Sequence, residues 1–133
     1  MANMNRVFEE VEGPTGEVTR YRRHDNGRGL VSMKATAHPS AYIEATAYVE
    51  PGAEIAAGAW IGAGSWIDRD AFVGAGAFVG SNVHLGQNVT VGRGARVGSH
   101  SRVADGVQIA EGVRVGRDSQ VTTNRKADVA RAA

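Results

Sequence analysis

Every sixth residue from Ile43 to Val121 is a branched aliphatic residue. The series continues through fourteen positions without interruption, and each member is Ile, Val or Leu. Two residues before each aliphatic residue the chain has Ala, Ser or Val, beginning with Ala41 and ending with Ser119. Such a regular series constrains the fold strongly, because every copy must adopt the same local structure and stack on its neighbours.

The six-residue units are predicted to be short strands joined by turns. In a strand, residues two apart point to the same side, so the small and aliphatic residues face inward and the residue between them faces outward. The other three residues turn the chain, and Gly there supplies backbone angles that other residues avoid. A helix of 3.6 residues per turn would scatter the series around its axis. The sequence therefore predicts an all-β, single-stranded parallel β-helix.

The pattern small-x-aliphatic-Gly, as in Ala71-Phe72-Val73-Gly74, resembles the hexapeptide repeat of the left-handed parallel β-helix, acyltransferase-like superfamily. The resemblance implies a left-handed β-helix with three repeats per coil, about four to five coils here, and a homotrimer. That superfamily includes acyl- and acetyltransferases, γ-class carbonic anhydrases and non-enzymatic scaffolds. The repeat therefore indicates a fold more specifically than a function.

Three regions are predicted along the chain: an N-terminal arm over residues 1–34, the β-helix over 35–121 and a tail over 122–133. The arm can form a hairpin around the turn at Gly13-Pro14-Thr15-Gly16. It is interpreted as a cap on the open end of the first coil or as a brace between subunits, with a docking arm for another protein as the alternative. Its segment from His24 to Gly29 resembles the leader of small phage hexapeptide-repeat proteins.

The residue before each aliphatic residue is expected to face outward, and every third repeat stacks on one face. One face carries Tyr42, Trp60, Phe78, Arg96 and Arg114. The next carries Tyr48, Trp66, His84, Arg102 and Gln120. The third carries Glu54, Phe72, Thr90 and Gln108.

Six of the outward residues are aromatic and are interpreted as an oligomer or partner interface: Tyr42, Tyr48, Trp60, Trp66, Phe72 and Phe78. Aromatic side chains bury a large area when covered, and soluble monomers rarely expose a large apolar patch. We expect a second copy of the chain or the N-terminal arm to cover them. A carbohydrate-stacking platform is the alternative, and an ice-binding face is disfavoured because the exposed faces carry almost no Thr.

Arg96, Arg102 and Arg114 are candidate anion-binding residues, for a coenzyme phosphate or an acidic partner, although a solvated rim paired with nearby acids explains them equally simply. His84 and His100 are the catalytic candidates, because the resemblance implies acyl transfer with a histidine base. They are expected to approach each other at a corner or across a subunit boundary. A surface histidine without a role is the alternative for each.

Composition excludes several classes of function. The formal net charge of +1 gives no reason to expect nucleic acid as a partner. Without cysteine the chain has no disulfide and no thiolate chemistry, and no metal site is expected from the histidine spacing. No apolar run is long enough for a membrane span, and no signal peptide is evident, so a cytoplasmic protein is expected, or a virion protein if phage-encoded.

The leading functional prediction is a non-enzymatic, trimeric structural or interaction protein without a cofactor, such as a phage decoration or scaffold protein. It depends on the uninterrupted repeats and the short tail, because transferases of the resembled class usually carry an inserted loop and a longer C-terminal extension. The alternative is a small coenzyme A-dependent acyl- or acetyltransferase that uses His84 or His100 as the base.

Overall fold

The computed structural model describes residues 8–126, and these residues form strands and turns. The N-terminal part contains four strands: β1 (Phe8–Glu12), β2 (Val18–Arg23), β3 (Leu30–Ser32) and β4 (Thr36–Ala37). The two-residue strands that follow begin every six residues. They are β5 (Tyr42–Ile43), β6 (Tyr48–Val49), β7 (Glu54–Ile55), β8 (Trp60–Ile61), β9 (Trp66–Ile67), β10 (Phe72–Val73), β11 (Phe78–Val79), β12 (His84–Leu85), β13 (Thr90–Val91), β14 (Arg96–Val97), β15 (Arg102–Val103), β16 (Gln108–Ile109), β17 (Arg114–Val115) and β18 (Gln120–Val121).

The strands form three sheets that are the three walls of a solenoid. One sheet has eight strands in the order β1-β2-β3-β6-β9-β12-β15-β18. The other two have five strands each, in the orders β16-β13-β10-β7-β4 and β17-β14-β11-β8-β5. Within the repeats each strand pairs in parallel with the strand one coil later, as Phe72 pairs with Thr90. This confirms the predicted all-β parallel β-helix, with about five coils.

The core lies inside the solenoid and consists of the aliphatic series and the small residues that precede it. All members of the aliphatic series are at most 3% exposed. Burying a branched aliphatic side chain contributes roughly 1.5–3 kcal/mol relative to leaving it in water. The buried Ser65 bonds the Gly80 carbonyl at 2.6 Å and accepts from Val83 N–H, so the small position tolerates a hydroxyl where the next coil supplies both partners.

Glycine serves two different purposes in the turns. Directly after the aliphatic residue, as at Gly98, an added Cβ would lie 2.6 Å from the Arg117 nitrogen of the next coil. Two residues later the backbone takes a left-handed conformation, as at Gly94 with φ of 69°. From residue 52 to 118 every such position has a positive φ and holds Gly, Asp, Asn or His, the residues that adopt this conformation most readily. His100, with φ of 66°, is the histidine among them.

The solenoid begins earlier than the predicted boundary at residue 35. Leu30 and Val31 pair in parallel with Tyr48 and Val49, one coil later. Val31 is fully buried and lies on the same six-residue spacing as Ile43, two repeats upstream. Ala37 stands at the aliphatic position between Val31 and Ile43, so it interrupts the series of branched aliphatic residues and hides this repeat, although the strand pairing continues through it.

The rest of the N-terminal region covers the first coil. β1 and β2 form an antiparallel hairpin, and β2 extends the eight-stranded sheet by pairing with β3. Residues 24–29 lie along the edge of β5, where Gly29 N–H donates to the Ile43 carbonyl at 2.8 Å and Ile43 N–H donates to the Asn26 carbonyl at 3.0 Å. Residues 1–7 of the predicted arm and 127–133 of the predicted tail lie outside the described residues.

Candidate functional site

The stacking of coils gathers the outward residues into columns. We call Tyr42, Trp60, Phe78 and Arg96, on neighbouring strands of one five-stranded sheet, the first ladder. We call Tyr48, Trp66, His84 and Arg102, on neighbouring strands of the eight-stranded sheet, the second ladder. Phe72 lies on the third sheet between Glu54 and Thr90, so it belongs to neither ladder.

The first ladder is a continuous stack. The rings of Tyr42 and Trp60 are 4.1 Å apart and those of Trp60 and Phe78 are 6.4 Å apart, both nearly parallel. The Arg96 guanidinium lies 4.5 Å from the centre of the Phe78 ring, a cation–π contact that ends the aromatic stack. Because the ring faces are directed at each other, the ladder presents mainly ring edges outward, and Trp60 remains 45% exposed.

The second ladder is held by polar contacts as well as by stacking. Trp66 and His84 are stacked with ring centroids 4.2 Å apart and planes 13° from parallel. Trp66 Nε1 donates a hydrogen bond to Glu50 Oε2 at 2.8 Å. Tyr21 of the hairpin packs edge-on against Tyr48 at 5.3 Å and donates from its hydroxyl to Glu50 Oε1 at 2.7 Å.

His84 forms a histidine–carboxylate pair with Asp68. His84 Nε2 lies 3.2 Å from Asp68 Oδ2, and both side chains are partly covered, at 27% and 13% exposure. A carboxylate only accepts at this position, so it holds the imidazole with its proton on Nε2 when the ring is neutral. The other ring nitrogen, Nδ1, is then the lone-pair nitrogen, which is what a general base requires.

Both candidate histidines line one cleft. The cleft has a volume of about 370 Å³ and is bordered by Gly64, Trp66, Asn82, Val83, His84, His100 and Arg102. His84 and Arg102 also border an adjoining groove of about 210 Å³ that continues toward Gln120. The structure thus places His84, His100 and Arg102 along one cleft of a single chain.

The three candidate anion-binding arginines do not form one cluster. Arg102 borders the histidine cleft, whereas Arg96 and Arg114 are paired neighbours on another sheet. Arg96 already contacts the Phe78 ring. Of the three, only Arg102 is therefore placed to bind an anion beside His84.

A larger cleft lies elsewhere, between the hairpin and a corner of the solenoid. It has a volume of about 640 Å³ and is lined by residues of mixed character that include Val18, Met33, Lys34 and Arg69. No histidine borders it, so the smaller cleft is the better candidate for general-base chemistry. Within residues 8–126 no group of three histidine or acidic side chains is arranged to hold a metal ion.

Asp68 and Glu50 were not identified from the sequence. Each directly follows an aliphatic residue of the repeat, and each contacts the outward residue sixteen positions later, Asp68 with His84 and Glu50 with Trp66. One coil is eighteen residues, so a carboxylate just past one strand reaches the outward side chain of the next coil. An acidic residue sixteen positions before a histidine was the available signal.

Comparison with known proteins agrees with this fold. Residues 70–105 match the family model described as "Bacterial transferase hexapeptide (six repeats)". A search of the curated proteins found no match. The repeat match and the solenoid together confirm the resemblance to the hexapeptide-repeat, left-handed β-helix acyltransferase class.

Several solved structures are similar. The acetyltransferase domain of PglB from Neisseria gonorrhoeae is 22% identical with a TM-score of 0.63, over 73% of this chain and 50% of that one. AntD, an N-acyltransferase from Bacillus cereus solved with a dTDP-amino sugar and coenzyme A, is 18% identical with a TM-score of 0.59, over 72% of this chain and 71% of that one. At these identities both show the fold.

A third similar structure also carries ligands of the predicted alternative activity. It is a histidine-to-alanine variant of GDP-perosamine N-acetyl transferase from Caulobacter crescentus, in complex with coenzyme A and GDP-perosamine. It is 29% identical with a TM-score of 0.50, over 71% of this chain and 48% of that one. The present chain spans about half the length of this protein and of the PglB domain.

These findings correct the leading functional prediction. The expectation of a non-enzymatic structural protein, such as a phage decoration or scaffold protein, is wrong, since the matched family model describes a bacterial transferase repeat and the similar structure at 29% identity is an N-acetyl transferase that holds coenzyme A. The inference failed because the solenoid core has the same pattern whether or not its outer surface binds a substrate. A missing loop and a short tail therefore carried too little information.

The remaining expectations concern partners and location. Among the described residues no helix is long and apolar enough to cross a membrane. The homotrimer, the aromatic interface and a protein partner for the N-terminal arm stay predictions.

Proposed function

We propose that this chain is the β-helix part of a coenzyme A-dependent acyltransferase and that the cleft around His84 is its acceptor site. The observation that carries the proposal is the His84–Asp68 pair, because His84 borders the same cleft as His100 and Arg102. A histidine with a carboxylate on one ring nitrogen is a common arrangement for a general base. The coenzyme A-bound structure at 29% identity supports the same activity class.

The residues of the cleft fit the chemistry of acyl transfer to an amine or hydroxyl group. The thioester of an acyl-coenzyme A supplies an activated acyl group when it is bound. His84 Nδ1 would accept the proton that the acceptor loses as it attacks the thioester carbonyl, and Asp68 would stabilise the imidazolium that results. The C–S bond would then break, and the imidazolium would return the proton to the departing thiolate of coenzyme A. Arg102 and His100 supply positive or hydrogen-bonding groups for a phosphate of the acceptor or donor.

A nucleotide-linked amino sugar is the acceptor class that we propose. GDP-perosamine is bound in the similar N-acetyl transferase, and a diphosphate fits a cleft bordered by Arg102 and two histidines.

The trimer is part of the proposal, because Trp60 of the first ladder remains 45% exposed although it is stacked between its neighbours in the ladder. A second copy of the chain would cover this apolar face, which soluble monomers rarely leave exposed to water.

The test is an acetyl-transfer assay with acetyl-coenzyme A and GDP-perosamine or another nucleotide amino sugar, in which the released coenzyme A thiol is measured. We expect turnover, and His84→Ala should lower kcat by about 100-fold or more, the range for loss of a general base. His38→Ala is the matched control, since His38 is an exposed histidine bonded to Ser40 away from the cleft. Absence of coenzyme binding and turnover with every acceptor would refute the proposal.

A further inference from the structure

Glu50 connects the N-terminal hairpin to the candidate site. One carboxylate oxygen accepts from the Tyr21 hydroxyl at 2.7 Å, and the other accepts from Trp66 Nε1 at 2.8 Å. Tyr21 lies on β2 of the hairpin. Trp66 lies on β9, three strands away in the same sheet. Each oxygen thus has its own donor, and the two donors come from segments far apart in the chain.

Tyr21 is a fixed donor in this arrangement. Its ring is 4% exposed, packs edge-on against Tyr48, and belongs to a strand that pairs with β3 through Ser32. Burial, followed by the hydrogen bond to Glu50, raises the pKa of the Tyr21 phenol. The hydroxyl therefore keeps its proton and donates to Glu50 throughout the neutral pH range.

Trp66 needs such a fixed partner because its side chain is 43% exposed. The hydrogen bond from Nε1 to Glu50 fixes the orientation of the indole. The indole in turn packs against one face of the His84 ring, with the ring centroids 4.2 Å apart. Asp68 holds the edge of the same imidazole. His84 is accordingly oriented by two contacts, one of which depends on Glu50.

We propose that Glu50 is a positioning residue for His84, acting through Trp66, and that Tyr21 makes the N-terminal hairpin a working part of the site. The catalytic consequence rests on the proposed acyl transfer, whereas the positioning itself does not. The hairpin would then be more than a cover for the first coil. Removal of the hairpin would leave the orientation of the His84 ring less fixed while the solenoid core stayed intact.

The positioning is measured by NMR spectroscopy of the whole chain. The chain has two tryptophans, so its spectrum has two indole N–H signals, and Trp60→Phe identifies the signal of Trp66. We expect a downfield signal that moves upfield in Glu50→Ala, and ring-current shifts of the His84 protons that shrink toward unstacked values. Glu50→Gln keeps an acceptor for one donor only and should give intermediate shifts. Tyr21→Phe keeps the ring and should move the Trp66 signal less than Glu50→Ala.

Kinetics test whether the position matters to the reaction. Glu50→Ala should lower kcat about tenfold through misplacement of the base, while KM for acetyl-coenzyme A changes less than about twofold. Glu54→Ala is the control, since Glu54 is an exposed outward residue on another sheet, and Tyr42→Phe is the control for Tyr21→Phe. Thermal unfolding of each variant separates a loss of folded protein from a loss of position.

The outcomes are distinct. Unchanged Trp66 and His84 signals in Glu50→Ala overturn the proposal, whatever the rate does. Shifted signals with an unchanged kcat in an active enzyme also overturn it. A wild-type protein without transferase activity refutes the proposed function instead, and the movement or constancy of the two signals then decides the positioning by itself.

Discussion

The two ladders occupy equivalent positions of the same repeat and yet differ in what they offer. The first ladder is a closed aromatic column that ends in a cation, with the outer edge of Trp60 exposed. The second ladder combines one stacked pair, Trp66 and His84, with hydrogen bonds to carboxylates, and it borders a cleft beside His84. We therefore expect the first ladder to serve as an interface and the second as part of a reactive site.

The difference arises in the residue that follows the aliphatic residue one coil earlier. Beside the second ladder this residue is acidic twice, Glu50 and Asp68, and both carboxylates turn to the ladder. Beside the first ladder the equivalent residues are Glu44 and Gly62, and Glu44 is bonded to Thr46 instead, at 2.6 Å from the hydroxyl. The contacts of an outward residue therefore depend on a neighbour sixteen positions away.

We expect the largest difference between the two ladders in their contribution to trimer formation. Trp60→Glu places a charge on the exposed apolar column and should abolish the trimer, because an uncompensated charge in an apolar interface is strongly unfavourable. Trp66→Glu, on the polar ladder, should retain the native mass. Native mass spectrometry of the two variants provides the measurement. A monomeric wild-type protein, or a Trp60→Glu trimer, would show that the first ladder serves another purpose.

Catalysis should depend on the second ladder alone. Asp68→Asn leaves the size of the side chain unchanged but removes the charge that stabilises the His84 imidazolium. Because His84 itself remains, kcat should fall about 10- to 100-fold, less than the roughly 100- to 10,000-fold contribution of a general base. Steady-state kinetics with acetyl-coenzyme A measure this effect. Asp118→Asn is the control, because Asp118 lies at a left-handed turn position that Asn also occupies elsewhere in the chain. Equal rates for wild type and Asp68→Asn would argue against His84 as the base.

Alkaline stability should reveal the hairpin contact to the second ladder. The pKa of Tyr21 is raised in the folded chain, so folding favours the protonated phenol. The resulting stability is fully present below the unfolded tyrosine pKa of about 10 and is lost as pH rises above it. Tyr21→Phe should show a flatter decline between about pH 10 and 12 in denaturant unfolding. Tyr42→Phe should retain the wild-type decline, and identical curves for all three proteins would contradict the assignment.

The smallest expected effect concerns the end of the first ladder. Arg96→Ala removes the cation over Phe78 and should lower the free energy of unfolding by about 0.5–1 kcal/mol, a typical exposed cation–π contribution. Arg96→Lys should keep part of it. Denaturant unfolding measures both, with Arg114→Ala as the control on the neighbouring strand. A loss of equal size in Arg114→Ala would attribute the effect to general charge and not to the ring contact.

Most of the fold could be predicted from the repeat, because its two inward positions leave one arrangement in which all of them are buried. The inward faces and the turn glycines follow from a period of six, whereas the three columns follow from three repeats per coil, which the resemblance to the hexapeptide-repeat class implied. Val31 was left outside the predicted repeats, since Ala37 stands where the series has a branched aliphatic residue, while the paired backbone continues through both positions. The candidate histidines were visible as outward or turn residues and were expected to approach each other, whereas the contact of Asp68 with His84 was not identified.

The sequence by itself determined the solenoid, since hydrophobic burial at fixed spacing is a local and repeated constraint. The tertiary structure decided which acid meets which outward side chain, as with Asp68 and His84 or Glu50 and Trp66. Those contacts depend on the stagger between coils and on the hairpin that folds back beside them. Neither is encoded in the inward pattern, because the outer surface of a β-helix is under no packing constraint from its own core.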